Sequence, residues 1–141
     1  LAYNLYGTDR LICPMMDARR GQVYTGLYRF EGSSLITVSA QKAAPAESII
    51  DEINQIGGSV IYLGDGVPVF RRLIEERTTA EYSFAPPHVS KQRAGAVGAL
   101  GLLYWEQGRI QTADEHVPDY LRLSQAEREL LEKQKAAEGT A

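Results

Sequence analysis

The chain has 141 residues, of which 44% are hydrophobic and 23% charged, and both fractions are close to those of ordinary globular proteins. This composition excludes a disordered chain or a fibre, and the length predicts one domain, residues 1–141, with a well-buried core. The net charge of −3 argues against a surface that holds nucleic acid by itself, because such binding needs clustered lysines and arginines.

A single cysteine, Cys13, excludes an internal disulfide. The sequence shows no signal peptide and no apolar run of ~18 residues, the length that a membrane-spanning helix needs. These features predict a reduced, soluble, cytoplasmic protein with no membrane contact.

The first region with a strong pattern is a β-hairpin. An apolar run over Leu11–Met16 is followed by a polar turn and by Val23–Phe30, which is rich in β-branched and aromatic residues. Pro14 has no backbone donor, so the first strand is expected at a sheet edge or with its start near this residue. Before the hairpin, Leu1–Tyr6 has helical spacing and stops at Gly7, as the last turn of a helix does.

The hairpin turn holds Asp17, Arg19 and Arg20, one carboxylate and two guanidinium groups. Asn-Gly or Asp-Gly would form a tight turn more readily. The three charges either solvate the turn, as exposed charges usually do, or contact a partner protein. Asp17, Arg19 and Arg20 are therefore candidate partner-binding residues.

Downstream of the hairpin the pattern becomes α/β. Ser33–Ser39 predicts a third short strand, and Pro45 suits the first position of a helix. The apolar stripe of this helix consists of Ile49, Ile50, Ile53 and Ile56. Val60–Leu63 is a short, wholly apolar run that is typical of a buried strand. The order of these elements predicts a mixed α/β fold with packed helices.

The segment Gly64-Asp65-Gly66 lies between that strand and a helix that opens near Pro68. Backbone amides at a helix N-terminus can face a phosphate or an adenosine, so Gly64, Asp65 and Gly66 are candidate nucleotide-binding residues. Two glycines in three residues are also common in plain turns, and both interpretations stay open.

One further strand and one long helix are predicted next. Glu81–Phe84 favours the strand, and Ser90 is expected to cap a helix that runs to about Gln107. Within this helix, glycine recurs at every third position, as Gly95, Gly98 and Gly101. Each interior glycine costs a helix ~1 kcal/mol, so we expect this helix to pack closely on a neighbouring backbone. An irregular segment is the alternative.

The C-terminal part contains an extended piece, His116–Leu123, and a helix opened by the capping-box pattern Ser124-Gln125-Ala126-Glu127. Either Tyr120 and Leu121 pack on the core and strap the tail to it, or this segment docks another protein, with Arg122 as a planar donor; Tyr120 and Arg122 are therefore candidate partner-binding residues. Residues 132–141 carry little to bury and are expected to fray.

The sequence contains no recognisable catalytic motif. His88 and His116 are the only histidines and are far apart, so no metal site is predicted. Cys13 lies in an apolar run, where a cysteine behaves as a small hydrophobe rather than as a nucleophile. The sequence therefore predicts no catalytic residue, no metal and no cofactor beyond a weak ATP or ADP contact at the glycine loop.

Three segments together resemble a known family. Pro-Met-Met-Asp-Ala-Arg-Arg-Gly-Gln-Val-Tyr at 14–24, Pro-Asp-Tyr-Leu-Arg at 118–122 and Ser-Gln-Ala-Glu at 124–127 are similar to motifs of the bacterial TsaB (YeaZ) family. The chain has no counterpart of the family's N-terminal lobe, with its Asp-Thr-Ser-like strand and Gly-Pro-Gly-Ser-Phe-Thr-Gly-like segment. The resemblance implies the C-terminal lobe of an actin-like ATPase (ribonuclease H-like) fold, with residues 1–7 as the end of a helix from the absent lobe.

The resemblance also implies a function. Members of this family are non-catalytic scaffold subunits of the machinery that forms threonylcarbamoyladenosine at position 37 of tRNA. The implied partners are a TsaD-like catalytic subunit and a TsaE-like ATPase, with a homodimer possible for the full-length protein and tRNA as an indirect partner only. The older label of the family, glycoprotease-like or peptidase M22-type, implies the alternative of a vestigial nucleotide-binding or peptidase-like enzyme. The catalytic partner in this family holds its metal with paired histidines, so the lack of such a pair favours the scaffold.

Overall fold

The structure is a computed structural model and describes residues 1–121; the predicted helix at Ser124 and the predicted frayed tail at 132–141 lie outside these residues. In chain order the elements are a 3-10 helix (Ala2–Leu5), β1 (Leu11–Asp17), β2 (Gln22–Glu31), β3 (Ser34–Pro45), α1 (Ala46–Ile56), β4 (Ser59–Leu63), α2 (Gly66–Arg77), β5 (Glu81–Phe84) and α3 (Ala94–Glu106). The five strands form one mixed sheet in the order β3-β2-β1-β4-β5, which confirms the predicted fold class.

The sheet combines a local meander with two parallel pairings. Strands β1 and β2 form the predicted antiparallel hairpin, and β3 pairs antiparallel with β2. Strand β1 pairs in parallel with β4, and β4 with β5, because α1 and α2 supply the crossovers that parallel neighbours require. Within residues 1–121, no helix has both the length and the apolar character needed to cross a membrane.

The prediction that Pro14 marks a sheet edge is wrong, because β1 is the central strand. The pairing between β1 and β2 runs through Ile12 and Tyr28 and resumes at Met15 and Thr25, so the proline lies in a gap of this ladder. A central strand tolerates the missing N–H where the ladder is interrupted in this way.

The hydrophobic core lies on both faces of the sheet. On one face, Cys13 and Met15 of β1 pack with Ile50 and Ile53 of α1. On the other face, Ile12 packs in a smaller cluster with residues of the 3-10 helix. Because β1 is covered on both sides, its sequence is a continuous apolar run instead of an alternating one.

Strand β3 is longer than predicted, at 12 residues, and it contains two irregularities. Where β2 advances two positions from Thr25 to Leu27, β3 advances three, from Lys42 to Ser39. At the next step, β2 advances one position from Leu27 to Tyr28, while β3 advances two, from Ser39 to Thr37. Strand β3 therefore carries two extra residues relative to β2, and an extra residue of this kind bends the strand locally. It ends at Pro45, and the predicted helix follows directly.

The last helix, α3, differs from its prediction in two ways. Its N-cap is Arg93 and not Ser90, whose carbonyl instead accepts a hydrogen bond from the Gly64 N–H at 2.8 Å. The predicted close packing at the glycines is also absent from the described part of the chain. Outside the helix itself, nothing lies within 4 Å of a Cβ placed on Gly95, Gly98 or Gly101. No residue of α3 is buried.

Candidate partner-binding turn and glycine loop

The turn between β1 and β2 has an unusual backbone. Arg19 and Arg20 have φ angles of 64° and 53°, and Gly21 follows at 73°. The left-handed region costs a residue other than glycine ~1–2 kcal/mol, and these arginines are the only such residues with positive φ among residues 1–121. The Gln22 N–H donates to the Arg19 carbonyl at 3.0 Å and closes the turn. The sequence contained no signal for this conformation at either arginine.

Asp17 organises the first half of the turn. Its Oδ1 accepts a hydrogen bond from the Arg19 backbone N–H at 2.8 Å, and its Oδ2 lies 3.0 Å from the Arg19 guanidinium. The Asp17 side chain is 13% exposed, whereas that of Arg19 is 86% exposed. The carboxylate therefore acts within the turn, and the arginine side chain is presented to solvent.

The first residues of two helices also contact the turn and restrict its backbone. The N–H of Ala46, which begins α1, donates to the Gly21 carbonyl at 3.1 Å. A Cβ on Gly66, which begins α2, would lie 3.3 Å from the Asp17 nitrogen. Arg20 is exposed and makes no hydrogen bond or ion pair with any other described residue. The structure thus brings the three predicted turn residues together and leaves one guanidinium group free.

The glycines of the loop between β4 and α2 are required by packing on β1. Gly64 has a φ of 109°, and a Cβ on it would overlap the Met15 carbonyl. A Cβ on Gly66 would lie 3.0 Å from the same oxygen. The Gly64 N–H is already used by the Ser90 carbonyl, and Asp65 is exposed without capping α2. Close approach of two backbones explains both glycines, and nucleotide binding at this loop stays a prediction.

The remaining chemical groups of the sequence do not converge on a reactive centre. Cys13 is fully buried beside Thr25, with its Sγ 3.7 Å from the threonine Oγ1, and burial raises the pKa of its thiol to about 12. His88 and His116 are exposed. Among residues 1–121, no group of three or more His, Cys, Asp or Glu side chains could hold a metal ion.

The predicted contact at the tail is only partly described. Tyr120 is 82% exposed and does not pack on the core, whereas Leu121, the other residue of the predicted strap, is half-buried. Arg122 lies outside the described residues. The structure therefore presents Tyr120 as a solvent-facing aromatic side chain, and a role in partner binding stays a prediction.

A cavity of about 390 Å³ between α3 and the sheet was not predicted. Its walls include Pro14, Tyr24, Tyr28, Leu100 and Tyr104. Burial raises the pKa of Tyr28, against the opposing effect of its hydrogen bond with Gln41. No sequence motif marks this cavity, because it depends on how α3 lies over the strands.

Comparison with known proteins gives one curated relative. The chain is 32% identical over 137 residues to the tRNA threonylcarbamoyladenosine biosynthesis protein TsaB of Bacillus subtilis (strain 168). The match covers 96% of this chain and 57% of the relative, so the chain spans little more than half the length of that protein. A comparison with protein-family models found no match.

Two solved structures from Pseudomonas aeruginosa share the fold. One is YeaZ, with a TM-score of 0.59 and 20% identity over 84% of this chain and 53% of its own. The other is described as an uncharacterized protein with similarity to peptidase YEAZ, with a TM-score of 0.59 and 19% identity over 86% of this chain and 53% of its own. At these identities the likeness concerns the fold alone, which is the actin-like fold of the YeaZ structures.

Proposed function

This chain resembles part of the TsaB (YeaZ) family over almost all of its length, and from this premise we propose that it serves as part of a non-catalytic scaffold in the cytoplasmic formation of threonylcarbamoyladenosine at position 37 of tRNA. The observation that carries the proposal is the 32% identity to the B. subtilis protein over 96% of this chain. The proposed direct partner is a TsaD-like catalytic subunit, assisted by a TsaE-like ATPase. The net charge of −3 supports only an indirect contact with tRNA.

The state of Cys13 supports a non-catalytic role. A nucleophilic cysteine needs a lowered pKa, whereas burial raises the pKa of this thiol to about 12. The thiol is therefore protonated at neutral pH and lies in the core between the sheet and the helices.

The turn of Asp17, Arg19 and Arg20 is the proposed partner contact. The backbone of the turn is held by the two strands that it joins and by the first residues of α1 and α2. The Arg20 side chain therefore starts from a fixed backbone position, and its guanidinium group has no partner among the described residues. A guanidinium group binds a carboxylate through two parallel hydrogen bonds, which fits an acidic side chain on the TsaD-like subunit. Exposed Tyr120 supplies a second proposed contact, together with Arg122.

The experiment is a reconstituted modification assay. The region of B. subtilis TsaB that matches this chain is replaced by this chain, and the chimera is combined with the TsaD-like subunit, its other partners and tRNA. We expect product at a rate near that of native TsaB, and no product from this chain as the only TsaB source. A chimera that binds the TsaD-like subunit but yields no product would overturn the proposal.

A matched pair of variants tests the turn. Arg20→Ala removes a charge-assisted contact of ~1.5–3 kcal/mol, which corresponds to about tenfold weaker binding or more between the chimera and the TsaD-like subunit. Arg72→Ala removes another exposed arginine, which forms an ion pair with Glu76 on α2, and binding by this variant should be unchanged. Equal binding by both variants would exclude the turn as the contact. Cleavage of a protein substrate by this chain would instead favour the peptidase-like alternative.

A further inference from the structure

The cavity between α3 and the sheet has the size of a small-molecule site. It lies against the face of the sheet formed by β1, β2 and β3, and its volume is about 390 Å³. Sites for small molecules usually measure ~300–1,000 Å³. At ~30 Å³ per water molecule the cavity has room for about 13 waters, and therefore for a ligand of one or two fused rings. Among the described residues that line it, none has a charged side chain.

Four tyrosines form much of the wall of this cavity. Tyr24 and Tyr28 come from β2, Tyr3 from the 3-10 helix and Tyr104 from α3. The Tyr104 ring has a fixed neighbour, because the guanidinium carbon of Arg109 lies 3.9 Å from its centroid. Aromatic side chains pair with another flat ring in offset or edge-on geometry. The wall therefore favours a planar aromatic ligand.

The polar part of the cavity is built around Tyr28 and a glycine. Gly26 lies in the interior of β2, where glycine often marks a bulge or a close approach. A Cβ on Gly26 would lie 2.7 Å from the Tyr28 hydroxyl oxygen, so the absence of a side chain lets the tyrosine lie along the strand. Burial raises the pKa of this hydroxyl, and the hydrogen bond with Gln41 opposes the rise, as a donor to the phenol oxygen does. The Tyr28 O–H is thus left to donate to a ligand.

An irregularity of β3 gives Gln41 its position. Gln41 is one of two β3 residues that lie opposite the single residue Gly26 of β2. Bulges of this kind redirect a side chain and are frequent beside functional sites. The residues on either side of this bulge are tied together, because the Lys42 Nζ donates to the Ser39 Oγ at 3.0 Å and to the Glu52 carboxylate at 2.7 Å. The backbone that carries Gln41 is therefore held in place.

We propose that this cavity binds a small, uncharged aromatic molecule with one hydrogen-bonding edge, of the phenol or aromatic amide class, and that Tyr28 and Gln41 contact the polar edge. A charged ligand fits poorly, because no charged side chain of the wall would offset its loss of water. The cavity is thus distinct from the glycine loop at 64–66, whose candidate ligands, ATP and ADP, carry several negative charges. Its ligand is independent of the proposed role in tRNA modification.

The test is isothermal titration calorimetry of this chain with 2-naphthol, a two-ring phenol that is uncharged at pH 7. We expect saturable binding with a stoichiometry of about one. Naphthalene-2-carboxylate has the same rings and a negative charge, and it should bind at least about tenfold more weakly, because its charge finds no partner in the cavity. An excess of ATP should leave the affinity for 2-naphthol unchanged.

Two pairs of variants locate the bound probe. Leu100→Phe enlarges a residue of the cavity wall and should weaken binding of 2-naphthol at least about tenfold, as expected when a methylene-sized mismatch fills a close-packed site. Leu102→Phe makes the same change at a position of α3 that is 68% exposed, and it should leave binding unchanged. Tyr28→Phe removes one hydroxyl and should weaken binding about fivefold, the usual effect of losing a neutral hydrogen bond. Tyr82→Phe, in the core on the opposite face of the sheet, is its control.

Three outcomes would overturn the site. The first is the absence of saturable binding of 2-naphthol up to its solubility limit. The second is displacement of 2-naphthol by ATP, which would assign the cavity to a nucleotide. The third is an affinity for 2-naphthol that neither cavity variant lowers relative to its control. If Leu100→Phe does not unfold cooperatively in urea, the comparison of Tyr28→Phe with Tyr82→Phe decides the third outcome alone.

Discussion

We expect Gly64→Ala to destabilise the chain more than the same glycine-to-alanine change at any other glycine of the sheet and its loops. The residue has a φ of 109°, which side chains rarely adopt, and its Cβ would overlap the Met15 carbonyl of the central strand. Both partners of the clash are backbone, so no rotamer change relieves it. Either α2 or β1 must move.

The magnitude follows from two contributions. A residue held in a sparsely populated backbone region costs ~1–3 kcal/mol. Overpacking in a close-packed region costs a further ~1–3 kcal/mol. Their sum of about 2–6 kcal/mol is a large part of the ~5–15 kcal/mol that stabilises a domain. With a urea m-value of ~2 kcal/mol per M, the midpoint should fall by roughly 1–3 M.

Two control variants separate the contributions in the same urea titration. Gly58→Ala has a comparable φ of 79° with nothing within 4 Å of the new Cβ, so it reports the backbone contribution of ~1–2 kcal/mol alone. Gly66→Ala places its Cβ 3.0 Å from the Met15 carbonyl without a positive φ, so it reports the crowding. A Gly64→Ala midpoint no lower than that of Gly58→Ala would refute the packing explanation of the loop.

Further predictions concern the core and the connection after α2. Ile50→Ala should cost ~2–5 kcal/mol in urea unfolding because Ile50 is fully buried, whereas half-exposed Ile56→Ala should cost less than ~1 kcal/mol. Asn54→Ala should cost ~1–3 kcal/mol by the same measurement, because its amide donates to the Arg77 carbonyl at 2.9 Å and accepts from the Thr79 N–H at 2.9 Å. An unchanged midpoint would show that water replaces these bonds. Cys13 should resist alkylation at pH 8 until the chain unfolds, as judged by mass spectrometry. Because burial raises the pKa of this thiol to about 12, the folded chain keeps a proton that the unfolded chain loses at ~8.5. Stability should therefore fall as the pH rises from about 8.5 towards 12, and a Cys13→Ala variant should lack this part of the decline.

Local signals explain the part of the fold that the sequence predicted. The hairpin, helix α1 and the buried strand β4 each follow from periodicity and turn chemistry within a few residues. The position of Pro14 in the central strand was not predictable in this way, because the neighbours of a strand are set by pairings across the whole chain. The tolerance of the proline depends on a gap opposite β2 that only the sheet register shows.

The candidate site, like the fold, was predictable only where local sequence determines it. The sequence drew attention to Asp17, Arg19 and Arg20 through their charges, and the structure places them in one turn. Their backbone strain was not predictable, because arginine has no preference for positive φ. The sequence draws attention to Gly64 and Gly66 as candidate nucleotide-binding residues. The structural requirement for glycine at these positions is the nearby Met15 carbonyl, which lies about 50 residues away in the sequence and is not visible from local patterns.

The two extra residues of β3 have a consequence for the behaviour of the chain in concentrated solution. Strand β3 is one of the two outer strands of the sheet, so its free N–H and C=O groups are available to the strands of other molecules. The extra residues leave only the four-residue stretches Ser34–Thr37 and Lys42–Pro45 in regular register. Neither stretch is long enough to template a fibril, since steric zippers need about six residues in line. The irregular pairing therefore protects this edge of the sheet against strand-to-strand aggregation without the rows of charged side chains that many proteins place on an outer strand.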